Sequence, residues 1–216
     1  MNPKQLNLYI VDDDKPFQRS LAMLFLSHMD GFAVQPFDYG EDFLENAKLD
    51  ASGVVILDLR FVDETEPRQR MNGLEIFQKL KERNSPLVVV FLSGHGTVPD
   101  AVRAMQDGAV TWLQKTCSHD ELLGTIDQAR DAARAIATRR RDQHAAQEQW
   151  GRLTQREKEV APLVAQGKSA KVIGKTLDVQ YRTVENYRAH VFAKLELANA
   201  NELQTFLTIH FPNGVQ

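Results

Sequence analysis

Leu6-Asn7-Leu8-Tyr9-Ile10-Val11-Asp12-Asp13-Asp14 is a short, largely apolar stretch that breaks off into three consecutive carboxylates. The same punctuation recurs downstream. Val54-Val55-Ile56-Leu57 ends at Asp58, Leu87-Val88-Val89-Val90-Phe91-Leu92 ends at Ser93-Gly94, and Val110-Thr111-Trp112-Leu113 is followed two residues later by Lys115. Runs of this length, rich in Val and Ile and bounded by polar residues, predict strands over Leu6–Val11, Ala33–Phe37, Val54–Leu57, Leu87–Leu92 and Val110–Leu113. Val88-Val89-Val90 shows no polar alternation, as expected of strands covered on both faces.

Between the strands the apolar residues recur at helical spacing. Pro16 to Met29 carries Phe17, Leu21, Leu24 and Phe25, Gly73 to Arg83 carries Leu74, Phe77 and Leu80, and Val98 to Gln106 carries Val98, Val102 and Met105. Five strands alternating with helices predict an α/β, doubly wound, five-stranded parallel sheet. In such a sheet ligands bind in the crevice beyond the carboxyl ends of the strands, which is where Asp12, Asp13, Asp58, Ser93 and Lys115 fall. Carboxylates gathered there repel one another unless protons or a cation neutralise them, and a hard cation such as Mg²⁺ takes oxygen ligands of this kind. Asp14, followed by Lys15-Pro16, reads instead as a helix cap with the proline in the first turn.

Ser118-x-x-Glu121 is a capping-box pattern opening the last helix of this unit. Its stripe, Leu122, Ile126, Ala129, Ala133 and Ile136, continues past the expected domain end, and no Pro or Gly interrupts Thr125 to Trp150. The expected organisation is therefore a first domain over 1–127, a helical linker over 128–150 and a second domain over 151–216. A second capping box, Thr154-x-x-Glu157, opens that last block. Gly167 stops its first helix, Ser169 to Leu177 forms the next, Asp178-Val179-Gln180 turns the chain, and Tyr181 to Leu195 forms a longer one, followed by a helix near Asn201 to Ile209. Two helices across a tight turn inside an all-α, four-helix unit predict a helix-turn-helix domain.

Charge divides along the same lines. Residues 1–127 hold 12 Lys and Arg against 20 Asp and Glu, a net of −8; residues 128–150 sum to +2 and residues 151–216 to +3. An acidic front and a basic back suit a cation-binding module joined to one that binds nucleic acid. The single cysteine, Cys117, excludes an internal disulfide and a zinc-type cluster. The longest apolar run is too short to cross a membrane and the start lacks the apolar core of a signal peptide, so the expectation is a cytoplasmic protein with no membrane partner.

Ile10-Val11-Asp12-Asp13-Asp14, the run ending at Asp58, Ser93-Gly94 and Lys115 together resemble the receiver domain of bacterial two-component response regulators, a flavodoxin-like fold. Gly94-His95-Gly96-Thr97-Val98-Pro99 and Ala101-Val102-Arg103-Ala104-Met105 resemble the NarL/FixJ subfamily. The resemblance implies phosphoryl transfer from a cognate sensor histidine kinase to Asp58. It also implies Mg²⁺ (or Mn²⁺) held by Asp13 and Asp58, by Asp12 through water, and by the Arg60 backbone carbonyl. Lys115, Ser93 and Gly94 would meet the phosphoryl oxygens, and Trp112 stands where the family couples the Ser93 hydroxyl to a rotating aromatic residue. Two departures stand out. The loop from Arg60 to Gly73 is about seven residues longer than the family's usual spacing and contains Asp63, Glu64, Glu66, Arg68 and Arg70, so that it could cover the pocket or bind a partner. Thr116 occupies the place of a proline, which leaves the usual cis peptide after Lys115 open.

Leu153-Thr154-x-Arg156-Glu157-x-Glu159-Val160, Gly167-Lys168-Ser169-x-Lys171-x-Ile173, Leu177 and Thr183-Val184-Glu185-x-Tyr187-Arg188 resemble the LuxR-type helix-turn-helix domain. Helical spacing turns Val184, Tyr187, Val191 and Leu195 to the core and Arg182, Glu185, Asn186, Ala189 and His190 to solvent. Lys171, Arg182, Thr183, Arg188 and Lys194 are then expected at phosphates, with Glu185 and Asn186, beside Ala189, at base edges. The implied protein is not an enzyme beyond accepting and slowly losing a phosphoryl group. It is expected to dimerise when active, to bind double-stranded promoter DNA and to work with RNA polymerase. An atypical regulator that binds DNA without phosphorylation is the alternative. A phosphatase of the haloacid dehalogenase type is a third, though that family needs Asp-x-Asp-x-Thr/Val after its first strand and Asp12-x-Asp14 is followed by Lys15-Pro16.

Overall fold

The computed structural model describes residues 5–61, 70–94, 96–212 and 214. His95, and Asp63, Glu64, Glu66 and Arg68 of the long loop, lie outside the described residues. Five strands, β1 (Leu6–Val11), β2 (Phe32–Phe37), β3 (Gly53–Leu57), β4 (Leu87–Ser93) and β5 (Thr111–Gln114), pair in parallel in the order β2-β1-β3-β4-β5. The crossovers are α1 (Lys15–His28), α2 (Gly40–Asn46), α3 (Gly73–Glu82) and α4 (Val98–Gln106).

Period-two geometry, with both faces covered, explains why the inner stretches of β1, β3 and β4 are apolar throughout. Leu8, Ile10, Val54, Ile56, Val88 and Val90 join Leu21 and Phe25 of α1 and Leu122 and Ile126 in one buried cluster. The residues between them, Tyr9, Val11, Val55, Leu57, Val89 and Phe91, join Phe43, Ile76, Phe77, Leu80 and Ala104 on the other face. The order 2-1-3 places the ends of β1 and β3 side by side where the winding direction reverses, which opens the crevice there.

Three features go beyond what the sequence pattern states. The α4 stripe does not face the core: Val98, Val102 and Met105 are 78%, 48% and 45% exposed, and the buried residue of α4 is Ala104. A nine-residue helix held to the sheet by a small side chain leaves its larger apolar residues on the outside. No cis peptide occurs among the described residues, so Lys115–Thr116 is trans. Finally, the helix opened by Ser118 runs unbroken as α5 (His119–Gly151), and the chain divides into compact units at Thr138/Arg139, inside the stretch expected to serve as a linker. Ala129 and Ala133 are buried in the first unit, Ala146 and Trp150 in the second.

In the second unit α6 (Gln155–Ala165), α7 (Ala170–Leu177), α8 (Tyr181–Leu195) and α9 (Ala200–His210) surround a core of Trp150, Leu153, Val160, Val164, Ile173, Val184, Val191, Leu195 and Leu203. The Thr154/Glu157 capping box forms in full, and Ser169 caps α7. The α7–α8 turn depends on two residues. Asp178 ends α7 in the left-handed region at φ 54°, and Gly174 lets the chain return so closely that an added Cβ would lie 2.6 Å from the Val179 carbonyl oxygen. Among the described residues no helix is long and apolar enough to cross a membrane.

Candidate functional site

The acidic crevice is built by backbone continuity. Asp12 follows β1 and its N–H donates to the Phe37 carbonyl, while the Asp58 N–H donates to the Val11 carbonyl, so the ladder itself brings the two carboxylates together. Gln18, buried on α1, donates through Nε2 to both the Asp12 and Phe37 carbonyls and fixes the strand ends. Asp14 caps α1, accepting from the Phe17 N–H at 3.0 Å.

Lys115 Nζ lies 2.7 Å from Asp12 Oδ2 and 2.8 Å from Asp58 Oδ2, both carboxylates being almost out of water. The ammonium also sits 4.8 Å from the centre of the Phe17 ring. The remaining oxygens are held too: Asp12 Oδ1 accepts from the Asp14 N–H and Asp58 Oδ1 from the Leu59 N–H. Burial pushes the Asp12 carboxyl up to about 6 against the hydrogen bonds from Lys115 and the Asp14 N–H, with the Asp58 charge adding to the rise. Burial pulls Lys115 down, but the hydrogen bonds to Asp12 and Asp58 outweigh it and the ammonium ends above the ordinary lysine value. One lysine thus serves two carboxylates whose mutual repulsion it only partly offsets.

Carboxylate oxygens of Asp12, Asp13 and Asp58 come within 4.8 Å of one another, a hard-oxygen donor set that fits a divalent cation. Ser93 ends β4, buried to 1%, and its carbonyl accepts from the Lys115 N–H, which ties the hydroxyl residue to the lysine. Gly94 follows it on the exposed rim, and an added Cβ there would touch the Lys115 stem. Trp112 stacks on Phe91 at 5.1 Å and lies so close to Gly96 that a Cβ there would overlap its ring. Arg60 stands exposed two residues after Asp58. Gln18 and Phe17 are absent from the residues that motif reading picks out, since each reads as an ordinary α1 position.

The second candidate surface lies on α8. Val184, Val191 and Leu195 are buried, Tyr187 is half-buried, and Arg182, Glu185, Asn186, Ala189 and His190 are exposed. Lys171 is exposed on α7, and Thr183 and Arg188 are half-buried on α8, the Arg188 guanidinium resting over the Phe192 ring. Lys194 departs from a plain phosphate contact: its ammonium lies 2.7 Å from Glu157, a buried acid that motif reading assigned only to the capping box.

Residues 8–127 match the model of the response regulator receiver domain, and residues 151–207 that of the luxR family of bacterial regulatory proteins. The tetrathionate response regulatory protein TtrR of Salmonella typhimurium is 35% identical over 91% of this chain and 89% of its own. The transcriptional regulatory protein FixJ of Rhizobium meliloti is 34% identical over 88% of each. Among solved structures, the response regulator StyR matches with a TM-score of 0.79 and 29% identity over 94% of this chain and 98% of its own.

Proposed function

The chain belongs to the two-component response regulators with a receiver and a LuxR-type DNA-binding domain, and from that premise we propose that Asp58 is its phosphoacceptor. The observation that carries the reading is the position of Asp58 at the topological switch point, with one oxygen 2.8 Å from a lysine that also holds Asp12. A carboxylate attacks a phosphoryl group only if the charge of both is offset, and this crevice concentrates the means to do so.

An oxygen of Asp58 forms the bond to phosphorus as the phosphorus–nitrogen bond of a sensor kinase's phosphohistidine breaks. The imidazole nitrogen leaves with the electron pair. Lys115 moves its charge onto the new phosphoryl oxygens, and the Ser93 hydroxyl and the backbone at Gly94 donate to others. Asp12, Asp13, Asp58 and the Arg60 carbonyl would hold Mg²⁺ or Mn²⁺, whose positive charge offsets that of the transferred group. As Ser93 is drawn inward, Trp112 leaves its stack on Phe91, which passes the signal to the α4–β5 face.

The readout is dimerisation followed by binding of promoter DNA in the cytoplasm, in concert with RNA polymerase. Exposed Val98, Val102 and Met105 on α4 support an association face. On the duplex, Lys171, Arg182, Thr183 and Arg188 meet phosphates, with Lys194 sharing its charge with Glu157. Glu185, Asn186 and Ala189 face base edges. Wild type supplied with Mg²⁺ and acetyl phosphate should gain a phosphoryl group and bind its promoter more tightly, and Asp58→Asn should do neither. Equal incorporation in both proteins sinks the assignment. Incorporation without any change in DNA affinity favours the phosphorylation-independent regulator.

A further inference from the structure

Gln18 is a polar side chain in the interior, 5% exposed on the buried face of α1 with Leu21 and Phe25. Its Nε2 donates to the Asp12 carbonyl at 3.1 Å and to the Phe37 carbonyl at 2.8 Å. Both atoms it faces are acceptors, so the orientation of the amide follows: reversed, it would set an oxygen against two oxygens. The amide nitrogen carries two N–H groups, and one is spent on each carbonyl.

The amide sits where the ladder runs out. β1 ends at Val11 opposite Phe37, the Asp12 N–H adds one more bond to the Phe37 carbonyl at 3.1 Å, and the chain then turns into α1. Gln18 closes that turn from the helix side. Its backbone N–H donates to the Asp14 carbonyl at 2.8 Å, the Asp14 N–H donates to Asp12 Oδ1 at 2.9 Å, and the side-chain amide returns to Asp12 itself. The carboxylate oxygens of Asp12, Asp13 and Asp58 come within 4.8 Å of one another, an arrangement that charge repulsion opposes. A main chain held in place keeps Asp12 there before a cation arrives. A loosened one lets it drift, and the donors must be gathered again on binding.

We propose that Gln18 is a positioning residue for the cation site: by holding the Asp12 carbonyl to the end of β2 it sets the place of the Asp12 carboxylate, and with it the affinity for a divalent cation. The inference rests on the reading of Asp12, Asp13 and Asp58 as the cation donors and adds to it a residue that touches neither the cation nor the phosphoryl group. Removing an outer support of this kind lowers metal affinity by about tenfold while every donor stays present. The step that follows metal binding is left as before.

Mn²⁺ titrated alone into the full chain, with the free ion read by electron paramagnetic resonance, measures this directly. Gln18→Met keeps the length and removes both donors, and it should bind Mn²⁺ about tenfold more weakly than wild type. Gln18→Asn keeps the amide on a shorter stem that cannot reach both carbonyls. It should lose about threefold, and it carries the test if the methionine variant does not fold. Gln18→Arg returns N–H donors on one planar group and should bind within about twofold of wild type, whereas a site that needs only the native shape would fare worst with it. With acetyl phosphate, the methionine variant should need more Mg²⁺ but reach the wild-type rate once the metal saturates. Wild-type Mn²⁺ affinity in both Gln18→Met and Gln18→Asn overturns the proposal, as does an arginine variant as weak as the methionine one. A rate deficit that saturating Mg²⁺ does not remove overturns it too. Asp13→Asn separates the two failures. If it also binds Mn²⁺ as wild type does, the reading of the carboxylates as a cation site fails, and if it alone is weakened, only the role of Gln18 falls.

Discussion

Asp12 carries the largest electrostatic conflict in the receiver unit. Its carboxyl, raised by burial to about 6 from an ordinary 3.8, is protonated in the folded state at pH values where the unfolded chain has lost the proton. The stability this contributes is complete below about pH 4 and is lost as pH rises through about 6. At neutral pH the ionised Asp12 therefore costs on the order of 3 kcal/mol in the absence of a cation, the favourable pairing with Lys115 already included. Asp12→Asn should accordingly be more stable than wild type by about 1–2 kcal/mol in urea unfolding with a chelator at pH 7. The gap should close near about pH 4, and added Mg²⁺ should favour wild type. A variant less stable at neutral pH would show that the Lys115 pair outweighs burial. Asp12, Asp58, Ser93 and Lys115 were legible in sequence because each terminates or follows an apolar strand, where period and polarity both change. The Asp12 and Phe37 contacts of Gln18, the Lys115 contact of Phe17 and the Lys194 pairing of Glu157 were not. Each sits mid-helix or in a cap, and only the tertiary approach of β2, Lys115 or α8 gives it a partner.

Gly73 decides how α3 seats against the end of β3. Gly73 opens α3 with its N–H on the Leu59 carbonyl at 2.8 Å, and an added Cβ would overlap the backbone oxygen of Asp58. Gly73→Ala must push α3 or the Asp58 backbone aside. It should cost about 2 kcal/mol and slow acetyl phosphate incorporation more than Gly108→Ala costs either, Gly108 having no atom within reach of a Cβ but a positive φ to strain. Equal incorporation rates would show that the strand end yields without consequence. For α4 the expectation concerns association: Val102→Glu should lower the dimer fraction of the phosphorylated chain in sedimentation while leaving incorporation intact. The sequence pattern located α4 to the residue, Val98–Gln106, and gave it an apolar stripe without saying which way that stripe faces. Periodicity reports that a helix has an apolar face, and whether the protein itself covers that face is a tertiary fact. The seven-residue α2 escaped the pattern altogether, being too short to show a period beyond Phe43 and Leu44.

The chain's two units differ in charge as well as in core. Residues 1–138 hold 14 Lys and Arg against 21 Asp and Glu, a net of −7, and residues 139–216 hold 12 against 8, a net of +4. Alternating strands and helices, the capping boxes and the charge step made both units legible in sequence. The place where one core ends and the next begins was not, because α5 is an Ala-, Arg- and Gln-rich helix with no Pro or Gly from Thr125 to Trp150, and the change of core is marked only by the polar run Thr138 to His144. Its last turns belong to the second unit: Ala146 and Trp150 are buried there, Gln143 Nε2 donates to the His210 carbonyl at 2.6 Å, and the Trp150 ring meets Phe211. A fragment of residues 139–216 should therefore fold, whereas one of residues 152–216 should lose about 3 kcal/mol or more with the Trp150 packing, a gap that urea unfolding measures directly. The longer fragment also isolates the electrostatics. A duplex that approaches the whole chain meets a tethered unit of net −7, whereas the fragment presents only the basic unit. At low salt the fragment should bind a random-sequence duplex more tightly than the unphosphorylated full chain. The difference should shrink as salt rises and the Debye length falls to about 8 Å. If it persists unchanged in high salt, the charge of the receiver is not what weakens DNA binding in the full chain.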